Sequence, residues 1–389
     1  PYLLPVCLAA IYIGMLNARG HFFIPAMGAT MLNVVMIASV FFLAPRMGHT
    51  LDTQIFGLAI GVLIAGLAQA AFQSPSLRRE GYRFHWVNPY GNETVRRVVL
   101  QMIPGAIGVA AFQINVLLTQ SCAFWADPAI VASFNYAVRL MELPQGVFGI
   151  SLATYLLPTL SGFVAEKRMD AYRDTLRHGI GHLMLVNLLA AILLLVLAEP
   201  VVRLLFERGK FTAASTERAA GALACLSPGL VAFSMVNILA RAFYALGDTK
   251  TPMKASVVSL GINLLLVAAL VIPFRQQGLS IANTISATIN FSLLFTALNK
   301  KLGGFDLGNL PRQFSQLLLI AAATASIAWG ASQLWEWRLG HGSLLLKIGA
   351  VFVPAIPAAA IYFALAVWLK IGSAAEILEL AFRKFRSKR

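Results

Sequence analysis

Apolar residues in this chain fall in long, almost uninterrupted runs, not in the alternation of a half-buried strand or the one-sided stripe of a soluble helix. The runs occupy residues 1–16, 24–43, 55–72, 98–118, 131–160, 180–197, 219–239, 255–272, 281–298, 317–334 and 345–369. A helix rises about 1.5 Å per residue, so about 20 such residues cross the roughly 30 Å of bilayer hydrocarbon. The pattern predicts an all-α polytopic membrane protein with ten or eleven crossings. It speaks against a membrane barrel, whose strands would alternate over only about ten residues. The first run is short, lacks a basic region before it and opens on Pro1-Tyr2, which predicts the remaining end of a cut helix and not a secretory leader.

Composition agrees with this reading. Hydrophobic residues make up 58% of the chain and charged ones 12%, with a mean hydropathy of +0.74, which leaves too little polar surface for a soluble fold. A net charge of +15 would suit nucleic acid, but the basic residues lie between apolar runs and form no single patch, so no nucleic-acid partner is expected. Summed over alternate connections, one side gathers Arg19; Arg78, Arg79, Arg83, Arg96 and Arg97; Lys167, Arg168, Arg173 and Arg177; Lys250 and Lys254; Lys300, Lys301 and Arg312; and Lys370 with the basic end of the chain. The other side holds only Arg46, Arg203, Arg208, Lys210, Arg218, Arg275, Arg338 and Lys347. The positive-inside rule places the richer set, and the C-terminus, in the cytoplasm. This alternation needs all eleven runs and sends the first from outside to inside. A parent chain starting in the cytoplasm would then have an odd number of further helices before it; three would fit about one hundred residues.

The longest polar connection, residues 74–97, carries the turn signals Asn88-Pro89 and Gly91-Asn92. It suggests a front part over residues 1–76, a cytoplasmic connection over 77–97, a core over 98–309, two last helices over 310–370 and a basic amphipathic tail over 371–389 lying on the membrane surface.

Ionisable residues inside apolar runs are costly and mark candidate function. Arg139 and Glu142 stand three apart in the 131–160 run and share one helix face. They either pair with each other as an anchor, or leave the arginine facing a water-filled cavity where its fork of donors suits a phosphate. Arg241, one turn before Gly247-Asp-Thr-Lys250, either joins such a site or snorkels to the cytoplasmic surface. Asn17, Asn33, Gln101, Gln113, Asn115, Asn237, Asn263, Asn283 and Asn290 lie on otherwise apolar helices, where amides either bind across helices or line a cavity suited to sugar hydroxyls. Pro25, Pro104, Pro144, Pro158 and Pro228 suit the bent helices of a transporter. Cys7, Cys122 and Cys225 match no metal or disulfide spacing and are expected to be packing residues. His21, His49, His85, His178 and His341 are scattered, and no nucleotide-binding or hydrolase motif occurs, so an enzyme is not expected. Transport would draw on an ion gradient, the membrane potential or a downhill flow, with no bound cofactor.

The segment Tyr136-Ala-Val-Arg139-Leu-Met-Glu142-Leu-Pro144-Gln-Gly146-Val-Phe-Gly149 resembles one in the MurJ/MviN family, bacterial flippases for the peptidoglycan precursor lipid II within the multidrug/oligosaccharidyl-lipid/polysaccharide exporter superfamily. Leu205-Phe-Glu-Arg-Gly-Lys-Phe211, the stretch from Asn237 to Pro252 and the opening residues 1–33 are similar to it as well. The resemblance implies a two-lobe MATE-like fold of fourteen helices, truncated at the N-terminus so that helices four to fourteen remain. On that count residues 1–76 hold helices four to six and residues 98–309 helices seven to twelve. It further implies alternating access, a lipid II or related polyprenyl-diphosphate substrate, a bacterial inner-membrane location, a monomer, contacts with membrane lipids and with cell-wall synthesis proteins, and a lipid-tail groove on the last two helices. Arg139 matches the family's arginine on the eighth helix and Glu142 its acidic neighbour; Gln113, Asn115 and Arg241 are the further substrate-binding candidates. Val138 stands where many members have aspartate, which removes a local counter-ion. No coupling-ion ligand is assigned. Export of another polyprenyl-linked glycan, drug/cation antiport and an inactive homologue are the alternatives.

Overall fold

The computed structural model describes residues 1–21, 23–83, 88, 91–304 and 308–376, with the backbone alone at 18, 101 and 103–112. Residues 377–389 of the expected surface helix, Pro89, His85 and the side chains of Gln101 and Pro104 lie outside the described residues. All regular elements among the described residues are helical, and the chain divides into two units, Pro1–Leu100 and Gln101–Arg389.

The first unit holds α1 (Leu3–Ala18), α2 (Phe23–Ala38) and α3 (Leu51–Arg79). α2 loosens into a π-helical turn at Ser39–Leu43 and a tighter turn at Ala44–Arg46. Gly57 and Gly61, four apart on one face of α3, admit this turn. A Cβ on Gly57 would lie 2.7 Å from Ala44 Cα, and one on Gly61 would lie 2.5 Å from Ser39 Cβ. Small residues at this spacing let two helix backbones touch, which is how membrane helices gain packing energy without a hydrophobic drive. At the other end, His21 Nε2 sits 2.8 Å from Glu80 Oε1 and joins the α1–α2 turn to the end of α3.

α4 (Glu93–Ala126) leads into the second unit. α5 (Pro128–Pro144) starts where Asp127 accepts the Ala129 amide at 2.8 Å and Pro128 takes the first position, where no amide donor is needed. Pro144 cannot donate to the preceding turn, and the helix widens into a π-helical stretch at Gln145–Ile150 before α6 (Ser151–Ala165). Pro144 and Gly146, which in the sequence suit either a kink or close packing, thus fall at the start of a π-bulge inside one continuous 38-residue span, Pro128–Ala165. Gly149 within it packs on α10, where a Cβ would meet Ser234 Oγ at 2.8 Å.

α7 (Met169–Val196), α8 (Ala198–Phe206), α9 (Ala213–Leu226) and α10 (Gly229–Ala245) follow, and α9 and α10 together are long and apolar enough for one crossing, bent by 49° at Ser227-Pro228. α11 (Lys250–Lys301) has 52 residues and would be about 78 Å long if straight. It is not straight. Arg275 takes φ 48° and ψ −128°, and the chain reverses. Ser259 and Ser286 each donate to the other's backbone carbonyl at 2.9 Å, so the two arms lie antiparallel and α11 crosses twice.

Asp248 fixes both ends of this hairpin. It accepts the amides of Lys250 at 3.1 Å and Thr251 at 3.0 Å, and it pairs with Lys301 at the far end. The Lys301 bond, followed by the Thr251 amide, holds the Asp248 carboxyl well below the usual carboxylate range. A folded pKa below the unfolded one gives stability that is full above about pH 4 and lost as pH falls through the folded value. We expect Asp248→Asn to cost up to about 1 kcal/mol at neutral pH and to flatten the acid limb of stability. Thermal unfolding at pH 7 and pH 3 checks this; an equal acid loss in wild type and variant would contradict it.

α12 (Leu310–Arg338) and α13 (Leu344–Trp368) close the unit as a second hairpin. One apolar core joins α6, α7, α10, α12 and α13 around Tyr172 and Tyr362, whose hydroxyls donate to the Ala242 and Leu185 carbonyls at 2.9 Å. A second core lies between α5, α8, α9 and the reversal of α11. Outward, Ile272 and Leu345 are exposed, and Trp125, Trp337 and Trp368 stand exposed near helix ends, the arrangement of a lipid-facing surface with an interfacial aromatic belt. Each of the eleven apolar runs lies on a helix. Seven described helices, counting α11 once, are individually long and apolar enough to cross, and the α9–α10 pair adds another. The chain is a multi-pass membrane helical bundle. Cys7 and Cys122 are exposed and only Cys225 is partly buried, so the expected packing role holds for Cys225 alone; the other two face outward because their helix faces do.

Candidate functional site

The second unit has an open-sided cavity of about 790 Å³ between α4, α5, the α9–α10 pair and both arms of α11. Its size falls in the range of small-ligand sites, but its walls are unusually rich in amides. Gln113 and Asn115 reach it from α4, Arg139 and Glu142 from α5, Asn237 from α10, and Asn263, Asn283 and Asn290 from α11. Gln120, Asn135 and Gln145 also line it. Sequence reading did not single them out, because polarity on a membrane helix does not say which face meets the cavity.

Arg139 is the cation of the lining and Glu142 the anion. Their pair is a single contact, Arg139 Nη1 to Glu142 Oε2 at 3.0 Å, between side chains 77% and 51% exposed. A pair three apart on an open helix face is worth only about 0.2–0.5 kcal/mol. One of the five guanidinium N–H donors is engaged in this bond. The two sequence readings are therefore not exclusive: the arginine is paired, and it still faces the cavity with donors to spare. Among the described residues the lining is formally neutral, so its character comes from amides, not from net charge.

Several of those amides are half committed. Asn237 donates to the Phe233 carbonyl at 3.1 Å and Asn283 to the Leu279 carbonyl at 2.9 Å, each within its own helix. The oxygens Oδ1 of Asn263 and Asn290 are buried and accept no hydrogen bond from the protein. A buried amide oxygen without a donor costs about 1–3 kcal/mol, and neither of these two atoms opens onto the cavity space. Arg241 does not line the cavity; its guanidinium lies 5.9 Å from the Tyr244 ring. Asn17 and Asn33 belong to the first unit. No group of His, Cys, Asp and Glu able to hold a metal occurs among the described residues.

Bent and bulged membrane helices around a polar cavity make up the fold of the second unit. Two solved structures share it: one described as "Lipid II flippase MurJ, inward closed conformation" superposes with a TM-score of 0.71 at 19% identity, covering 94% of this chain and 73% of that one. A MATE transporter of Vibrio cholerae gives a TM-score of 0.57 at 19% identity over 79% of this chain and 70% of that one. At those identities the likeness shows the fold alone.

Sequence decides the family. Residues 1–349 match the family described as "Lipid II flippase MurJ", and the chain belongs to it. A probable lipid II flippase MurJ from Haemophilus influenzae is 34% identical over 347 residues, 87% of this chain and 65% of that protein. One from Vibrio cholerae is 32% identical over 87% of this chain and 64% of its own length. The lipid II flippase MurJ of Burkholderia cenocepacia is 30% identical over 95% of this chain and 71% of its own. The chain thus spans about two thirds of the length of these relatives.

Proposed function

We propose that this chain is the greater part of a flippase that carries lipid II, an undecaprenyl-diphosphate-linked peptidoglycan precursor, from the inner to the outer leaflet of the bacterial inner membrane by alternating access. The observation that carries the reading is Arg139, displayed in an amide-lined cavity with most of its donors uncommitted. A diphosphate offers several charged oxygens within reach of one planar fork, and each charge-assisted bond contributes about 1.5–3 kcal/mol. That exceeds the weak exposed bond to Glu142, so the anion displaces the carboxylate, which remains nearby to take the guanidinium back on release. Gln113 and Asn115 then supply donors and acceptors to the sugars and peptide of the headgroup.

Amides favour this cargo over the alternatives. A drug/cation antiporter needs acidic groups to hold its ion, and among the described residues the lining offers only Glu142, already paired with arginine. No coupling ion is assigned, and the membrane potential remains a sufficient drive for an anionic cargo. The bias of basic residues supports a cytoplasmic C-terminus, on the side where Arg78, Arg79, Arg96 and Arg97 attract the anionic headgroup. The protein acts as a monomer among membrane lipids beside the cell-wall synthesis proteins that supply and use its cargo. The test is growth of a bacterium depleted of its own lipid II flippase and given the full-length gene for this protein. Restored growth is expected; failure to grow despite normal membrane abundance would sink the reading.

A further inference from the structure

The 205–211 motif takes no part in lining the cavity, yet its rings reach the helix that carries Arg139. Phe206 ends α8, and Phe211 follows a turn in which Gly209 takes φ 61°, a left-handed conformation that favours glycine. The turn brings the two rings to 6.0 Å between centroids, and Tyr136 of α5 completes the triangle at 4.8 Å from Phe206 and 5.0 Å from Phe211. Tyr136 stands three positions before Arg139, one helical turn away on the same side.

Between the two phenylalanines, Glu207 ties the same turn to other helices. Its carboxylate accepts from Thr216 Oγ1 of α9 at 2.8 Å and pairs with Lys347 Nζ of α13 at 3.1 Å. Burial raises the Glu207 pKa, but the bonds from Thr216 and Lys347 and the charges of Lys347 and Arg203 outweigh it and keep the group ionised. The Glu207 and Lys347 side chains are only 17% and 20% exposed, so this pair is not a solvent-screened one; Arg203 Nε, 3.6 Å from the same carboxylate, gives Glu207 a second cation, so it is Lys347 that loses its counter-charge if the pair is broken.

We propose that Tyr136 is a positioning residue for Arg139, and that the 205–211 turn links the start of α13 to the cavity arginine. Aromatic triangles hold preferred tilts, so the three rings fix the rotation and depth of α5 just before the arginine. A movement of α13 reaches them through Lys347 and Glu207, a contiguous set of contacts from the last hairpin to the cavity. The inference rests on the reading of Arg139 as the diphosphate contact.

The test titrates the full-length protein in lipid nanodiscs with inorganic diphosphate. Tyr136→Leu, which keeps an apolar side chain of similar bulk, is expected to weaken binding about tenfold, and Tyr136→Phe to restore it, because the triangle uses the ring and not the hydroxyl. Lys347→Gln is expected to weaken binding several-fold alone and to add nothing in the Tyr136→Leu background, since both act through one turn. Wild-type affinity in Tyr136→Leu, with binding lost in Arg139→Ala, would overturn the positioning role. Full additivity of the two changes would overturn the link to α13. Unchanged binding in Arg139→Ala would instead remove the cavity reading itself, and the inference with it.

Discussion

Arg139→Ala is expected to abolish growth support and substrate translocation while leaving membrane abundance unchanged. The side chain is 77% exposed and its one bond is to a neighbour three residues away, so its removal costs the fold little. Its removal from a bound diphosphate costs about 3–6 kcal/mol if two charge-assisted bonds are lost, or about a hundredfold or more in affinity. Arg139→Lys should recover a fraction of this, because an ammonium keeps the charge but loses the planar fork. Binding of a polyprenyl diphosphate to purified wild type, alanine and lysine proteins gives the order; equal affinity in all three would show that Arg139 serves only as an anchor for α5.

Gly278→Ala is expected to have the largest effect on folding. At the reversal of α11 the chain passes so close to itself that a Cβ on Gly278 would sit 2.6 Å from the Leu270 carbonyl carbon and closer still to its oxygen. Backbone cannot move aside as a flexible side-chain end can, so the two arms must separate. Overpacking of this kind costs about 1–3 kcal/mol, and more where backbone must shift. The Ser259–Ser286 bonds would stretch with it, and Asn263 and Asn290, one turn further along their arms, would leave their places in the cavity. Gly261→Ala on the same helix, where a Cβ meets nothing within 4 Å, is the control and should be neutral. Detergent-solubilised yield and melting temperature report both; equal behaviour of the two variants would contradict the close approach.

Seven described helices were legible as crossings because their apolar runs are too long for another use; α1, whose run is short, does not reach that length. Finer breaks were less so. Pro144 and Gly146 signalled a bend, but a π-bulge differs from a kink only in one extra residue per turn, which composition does not encode. The short helix α8 hid in what read as a connection, because Ala198–Phe206 is amphipathic and too short to stand out by hydropathy. Arg139 and Glu142 were visible as charges in lipid, and Gln113 and Asn115 as amides, but Asn135 and Gln145 needed the rotation of α5 to be known. His182 was overlooked inside the apolar face of α7; its Nε2 lies 3.0 Å from Glu376 Oε2, and His178 faces the same carboxylate at 3.6 Å. No local pattern announces a partner so far along the chain. The aromatic triangle was invisible for the same reason, since Tyr136 meets Phe206 and Phe211 only through the fold.

The central claim is that the cavity around Arg139 carries a diphosphate-linked glycan across the bilayer. Its most direct measurement is a proteoliposome assay with the full-length protein and fluorescent lipid II placed in the inner leaflet. Appearance of the label at the outer surface, abolished by Arg139→Ala and absent for a polyprenyl lipid that bears a sugar but no diphosphate, is the expected result. Translocation that persists in Arg139→Ala, or that treats both lipids alike, would contradict the account.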